Sequence, residues 1–139
     1  MSSGRLFVPV VFVWMLYCSS ACERLVAVSL KNETSDTIFA AMSAYSFAPV
    51  KYPGIYDPLE EVLPDSQICT SFSSEIIEYH GWHVWIAKKS SIDKYGKDSV
   101  INAELYDTVL HYNLDHLEVN DFVIKIHDID INHNKNINN

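Results

Sequence analysis

Glycine and basic residues are both scarce in this sequence. Four glycines occur in 139 residues, which argues against a glycine-rich loop that wraps the phosphates of a nucleotide or cofactor. Ten Lys and Arg stand against eighteen Asp and Glu, giving a formal net charge of −8. An acidic chain with scattered basic residues repels phosphate backbones and acidic membrane surfaces. We therefore expect no cofactor and no nucleic acid among the ligands.

The sequence also lacks an apolar run long enough to cross a bilayer, which takes about 20 residues. The apolar run at 6–18 is shorter and contains Pro9. One early charge at Arg5, this run and the small residues that follow have the order of a secretory signal. Residues 1–21 are therefore predicted to be a signal peptide that is removed.

Cysteine is rare, with three in the chain, and cleavage after Ala21 leaves Cys22 and Cys69. Lipoprotein processing requires a cysteine directly after the cut, because its thiol carries the lipid, and "SSAC" places small residues before Cys22. Ser19 stands where such proteins usually have Leu or Val. We expect lipid attachment at Cys22. The alternative is a Cys22–Cys69 disulfide in an exported protein.

The mature chain reads mainly as short strands. "RLVAVSLK" alternates, with Val26, Val28 and Leu30 on one face, and "TIFAAMSAYSF" resumes an extended pattern after the turn "NETSD", which predicts a hairpin. Further strands are predicted at "QICTSF", "HGWHVWIAKK", "YDTVLHYNL" and "FVIKI". Short helices or turns are predicted at "SSIDKYG", at 98–105 and at "LDHLEVND".

These elements predict a mainly β fold. We expect a single β-sandwich-like domain over residues 22–132, with about six strands and two or three short helices. The Asn-rich residues 133–139 are predicted to be a disordered tail.

Prolines interrupt the segment 47–66 at four positions, so a long loop is predicted there. Tyr52 and Tyr56 make this loop a candidate binding surface, and the alternative is that the same rings pin the loop across the core.

The histidines of "HGWH" raise the question of a metal site. Side chains three apart in a strand point to opposite faces, so His80 and His83 should diverge unless the chain turns at Gly81. No third ligand follows at a recognisable spacing. The sequence therefore predicts no metal site, with His80 and His83 as the nearest candidates.

"HDIDINHN" lacks the glycine and glutamate of a calcium loop and is predicted to be a frayed acidic edge strand.

The stretches "VWIAKKSSIDKYGKDSVI" and "YDTVLHYNLDHLEVNDFVIKI" resemble the second half of small uncharacterised lipoproteins of Bacteroidetes-type bacteria. "LKNETSDTIFAAMSAY" is similar to the opening hairpin of that group. Phe122 replaces a usual Trp, and Leu110 and His111 replace a usual basic pair. The resemblance implies a lipid-anchored envelope protein with no assigned chemistry.

Bacteria of that group attach sugars to Asp-Ser/Thr-aliphatic triplets of exported proteins. Three such triplets, "DTI", "DSV" and "DTV", make Thr37, Ser99 and Thr108 predicted acceptors. Asn32 in "NET" matches the corresponding eukaryotic motif.

No nucleophile elbow or scaffolded carboxylate pair appears in the sequence. The leading hypothesis is a non-enzymatic, lipid-anchored protein of the cell envelope, at the outer membrane, with a binding or structural role toward a protein or glycan. The first alternative is a small envelope hydrolase or metal-dependent enzyme that uses His80, His83 or His111. The second is a secreted, disulfide-bonded domain.

Overall fold

The computed structural model of the protein describes residues 24–49 and 58–132. Within them the chain forms seven strands, β1 Leu25–Asn32, β2 Ile38–Ser43, β3 Glu60–Val62, β4 Gln67–Ser73, β5 Trp82–Lys88, β6 Thr108–Tyr112 and β7 Val123–Ile126. Five short helices accompany them, α1 Ser74–His80, α2 Lys89–Tyr95, α3 Lys97–Asn102, α4 Leu114–Val119 and α5 Asp128–Asn132. The predicted mainly β class is confirmed. None of the helices in these two ranges is both long and apolar enough to cross a membrane.

Several predictions fall outside the described residues and stay predictions. They concern the signal peptide, the lipid-bearing cysteine, the two loop tyrosines and the tail, at 1–21, Cys22, Tyr52, Tyr56 and 133–139.

The strands form two sheets. One has the order β4-β1-β7, with β1 antiparallel to β4 and parallel to β7. The other has the order β3-β2-β5-β6 and is antiparallel throughout. Alternation in β1 buries Val28 and Leu30, which join Val84 and Ile86 of β5 in one apolar cluster. The two sheets therefore pack face to face, and each such aliphatic side chain stabilises the fold by about 1.5 to 3 kcal/mol.

The four-stranded sheet is covered on its outer face as well. The second apolar cluster contains Trp85 and Ala87 of β5 together with Val100 and Ile101 of α3. Every residue of β5 from Trp82 to Ala87 is buried except the half-buried His83. Such continuous burial is expected for a strand that is covered on both faces. The sandwich thus carries a third, helical layer, and this layer leaves the His83 end of the outer face open, since His83 is only half-buried.

The predicted hairpin of β1 and β2 is wrong, because the two strands lie in different sheets. Asn32 is completely buried at the end of β1. Its Nδ2 donates to the carbonyl oxygens of Asp36, at 2.8 Å, and Val62, at 2.9 Å. Its Oδ1 accepts from the backbone N–H and the hydroxyl of Thr34, at 3.0 and 2.6 Å. This set of bonds holds a turn that carries the chain from one sheet to the other.

Three further elements differ from the sequence predictions. The strand expected from His80 begins at Trp82, because 74–80 form α1 and bury Ile77 in the main core. The loop expected at 47–66 contains β3, which pairs with β2. The expected acidic edge strand is the helix α5, whose Asp130 carboxylate accepts a hydrogen bond from the His127 N–H at 2.8 Å.

Candidate functional site

Two histidines, His83 and His111, lie together beside the open end of the four-stranded sheet. His83 on β5 lies directly opposite His111 on β6, and their ring centroids are 4.5 Å apart with planes inclined by 37°. His80 ends α1 and is close enough to influence the charge of His83. The sequence named His80 and His83 as the nearest metal candidates while predicting that they diverge, whereas the strand register places His111 opposite His83. That register is visible in the sequence only once β5 and β6 are known to pair.

His83 packs against an aromatic ring, and one of its ring nitrogens is buried. It stacks on Trp85 with ring centroids 5.8 Å apart. Its Nδ1 is buried and has no hydrogen-bond partner among the described residues. Burial first, and then the nearby charge of His111, lower the pKa of His83 from 6.5; a backbone hydrogen bond with Ser43 partly opposes this shift, and His80 adds a smaller lowering.

Gly81 makes room for this histidine pair. Its φ is +79°, a conformation that side-chain-bearing residues rarely adopt. A Cβ at this position would lie 2.5 Å from Cε1 of His111. The glycine therefore permits both the turn from α1 into β5 and the position of the His111 ring.

The lowered pKa of His83 predicts that acid weakens the fold. Between the folded-state pKa and 6.5, the unfolded chain binds more protons at this position than the folded chain does. Stability therefore falls as the pH drops through 6.5 toward the lower folded-state pKa. In chelator-treated buffer, the urea midpoint of the wild type should fall more between pH 7.5 and 5.5 than that of His83→Gln. His116→Gln should keep the wild-type dependence. An identical pH dependence in wild type and His83→Gln would contradict this expectation.

An aromatic surface adjoins the histidines, formed by Tyr45, Phe47, Tyr79 and His80. Tyr45 and Phe47 stack with ring centroids 5.3 Å apart and planes inclined by 14°. Tyr79 is 87% exposed and Phe47 67% exposed. The His80 ring contacts both tyrosines, with its centroid 5.9 Å from that of Tyr45 and 5.1 Å from that of Tyr79.

The aromatic surface is tied to the core through two rings. Tyr45 contacts Phe72 of β4 edge to face, with centroids 5.8 Å apart. Phe72 contacts the completely buried Trp82 in the same manner, at 5.5 Å. Sequence reasoning missed Tyr45 and Phe47, because it assigned "TIFAAMSAYSF" to one strand, whereas β2 ends at Ser43.

Described residues on both sides of 50–57, within the predicted binding loop, belong to or pack against the second apolar cluster. Ala48 packs against that cluster from one side of 50–57, and Leu59, at 1% exposure, belongs to it on the other side. Tyr52 and Tyr56 themselves lie outside the described residues.

The predicted modification sites differ in access. Ser99 is exposed and Thr37 is half-buried. Thr108 is 4% exposed and its hydroxyl donates to the carbonyl oxygen of Asp130 at 3.0 Å. A sugar on Thr108, or on the buried Asn32, would have to be attached before folding.

Cys69 is exposed on the edge strand β4, and its proposed partner Cys22 lies outside the described residues.

A separate cleft of about 470 Å³ lies between α4 and β7. It borders two consecutive residues with positive φ, Asp121 at 55° and Phe122 at 58°, a conformation that is strained for an aromatic residue. Six of its ten lining residues carry polar or charged side chains, Tyr112, His116, Asn120, Asp121, Lys125 and His127. Small-molecule sites are mostly apolar with few polar groups, and the lining of this cleft does not fit that pattern.

No group of three or more His, Cys, Asp or Glu side chains is placed to hold a metal ion within 24–49 and 58–132. Comparison of the chain with protein-family models, curated proteins and solved structures gives no match.

Proposed function

We propose that this protein is a non-enzymatic lipoprotein of the cell envelope, at the outer membrane, that binds a protein or glycan partner through its aromatic surface. The observation that carries the proposal is the exposure of the stacked Tyr45–Phe47 pair beside Tyr79. Contiguous exposed apolar surface on a small domain marks an interaction site. Tyrosine is also among the side chains that contribute most to binding energy at interfaces.

The aromatic surface is held in place before a partner arrives. Tyr45 rests on Phe72, and Phe72 rests on Trp82 in the core. Rings that are already ordered lose little side-chain entropy on binding, so more of the contact energy appears as affinity. Tyr52 and Tyr56 follow Phe47 closely in the sequence, and we propose that they extend the same surface.

The proposed location depends on the amino-terminal sequence. The signal-like residues 1–21, the cysteine that follows them and the resemblance to Bacteroidetes-type lipoproteins support a lipid anchor at Cys22. A net charge of −8 without a basic cluster supports the same route, because this chain would be repelled by an acidic membrane surface.

Site-specific cross-linking in living cells tests the binding surface. A photoreactive phenylalanine analogue at Phe47 should give a discrete product on irradiation, and protease or glycosidase digestion identifies the partner as protein or glycan. Ile129 is the matched control, because it is similarly exposed at 69% but lies on α5. A product at position 47 that is absent at 129 supports the proposal. Equal yields at both positions, or no product at 47, would refute it.

The closeness of His83 and His111 favours a second candidate, the small hydrolase or metal-dependent enzyme. An esterase or phosphoesterase activity of the purified protein that is lost in His111→Asn would establish it.

A further inference from the structure

We infer that His83 and His111 form a binding site for one divalent transition-metal ion, Cu²⁺ or Zn²⁺, with one nitrogen from each imidazole and water in the remaining positions. This differs from the sequence prediction, which named His80 and His83 as the nearest metal candidates and did not pair His83 with His111. The inference does not depend on the proposed function, because the aromatic surface can bind its partner with or without the ion.

The spacing of the two rings fits a shared ion. Metal–nitrogen bonds of about 2.0 to 2.1 Å, with each ring centre about 1.2 Å behind its nitrogen, place two ligating imidazoles roughly 4.5 to 5.2 Å apart for N–metal–N angles of about 90° to 110°. The observed centroid separation of 4.5 Å lies at the lower end of that range. The β5–β6 register places the two residues directly opposite each other and so keeps their rings within reach of one ion.

Each of the two histidines also has a property that suits it to bind a metal ion. His83 is held on one side by Trp85 and has a buried Nδ1 with no hydrogen-bond partner among the described residues. A buried polar atom without a partner is costly, and rotation of the ring toward an ion would relieve that cost. His111 is exposed, so it can adjust its ring and give the ion a route from solvent.

The site should be open rather than closed. The absence of a third metal-holding side chain within 24–49 and 58–132 leaves the other positions to water. Imidazole suits both Cu²⁺ and Zn²⁺, and for a given nitrogen site Cu²⁺ binds more tightly than Zn²⁺. The inferred order of affinity is therefore Cu²⁺ above Zn²⁺.

Titration of the purified, metal-free protein with Cu²⁺ at pH 7.5 tests the inference. We expect saturable binding of one equivalent of Cu²⁺. Tryptophan fluorescence should be quenched, because Trp85 stacks on His83. The electron paramagnetic resonance spectrum of the bound Cu²⁺ should show coupling to two nitrogens. His111→Asn, at an exposed position, should weaken binding at least tenfold while circular dichroism stays unchanged. Zn²⁺ should compete for the same equivalent.

His116→Asn is the matched control, because His116 is also exposed and also stacks on an aromatic ring, that of Tyr112 at 5.1 Å. It should leave Cu²⁺ affinity unchanged. Absence of a saturable equivalent, unaltered affinity in His111→Asn, or an equal loss in His116→Asn would overturn the inference. A repeat of the cross-linking at Phe47 in His111→Asn cells keeps the two proposals apart, since the partner product should persist there.

Discussion

Replacement of Trp82 by alanine should destabilise the domain by about 3 to 5 kcal/mol. Trp82 begins β5 and is completely buried in the main core. Its ring supports Phe72, which in turn supports Tyr45 of the aromatic surface. Alanine would leave a large cavity between the sheets and remove this support. Urea denaturation followed by circular dichroism measures the loss, and the cross-linking yield at Phe47 should fall with it.

Trp82→Phe separates packing from polar effects at the same position. Nε1 of Trp82 is buried without a hydrogen-bond partner among the described residues, so its removal breaks no bond that those residues supply. Phenylalanine also keeps most of the ring volume, and we expect a cost below about 1.5 kcal/mol. Comparable losses in the alanine and phenylalanine variants would show that the tryptophan N–H, and not the filled core, provides the stability.

Replacement of Asn32 by alanine should cost about 2 to 4 kcal/mol. The side chain uses both of its donors and accepts twice, and all of these bonds join groups within the turn or between the turn and Val62. Alanine removes all of them and leaves the Val62 carbonyl without its Asn32 donor. Asn32→Asp should be at least as damaging, since a carboxylate would face the carbonyl oxygens of Asp36 and Val62. The free energy of unfolding, from urea denaturation, measures both.

Ser35→Ala is the control for Asn32, because Ser35 lies in the same turn with its side chain exposed. We expect a change within about 0.5 kcal/mol. An Asn32→Ala variant as stable as Ser35→Ala would show that the turn does not depend on the buried amide.

The strands could be predicted from the sequence where burial follows a simple period. Alternation identified β1 through Val26, Val28 and Leu30, and all three are buried as expected. The hairpin failed because a turn-forming sequence does not say which sheet the chain enters next. In "NETSD" that choice depends on Asn32 bonding to Val62, a residue 30 positions away in a strand too short to recognise.

The candidate site was only partly accessible to sequence reasoning. His80, His83 and His111 were all singled out, but their arrangement follows from a register between β5 and β6 that no local spacing encodes. The Tyr45–Phe47 stack was missed because an extended pattern continues past the true end of β2. In both cases the deciding contacts are between segments distant in sequence, so local patterns could name residues but not their neighbours.

The most direct test of the account as a whole is the location of the native protein and the chemical state of Cys22. Cells that produce wild type, Cys22→Ala or Cys69→Ala are separated into membrane and soluble fractions. The mass of the amino-terminal peptide of each protein is then measured by mass spectrometry. We expect a diacylglycerol-bearing Cys22 in wild type and in Cys69→Ala, both in the membrane fraction, and a soluble Cys22→Ala. A Cys22 that is unmodified or disulfide-bonded to Cys69, in a protein that is soluble outside the cell, would contradict it.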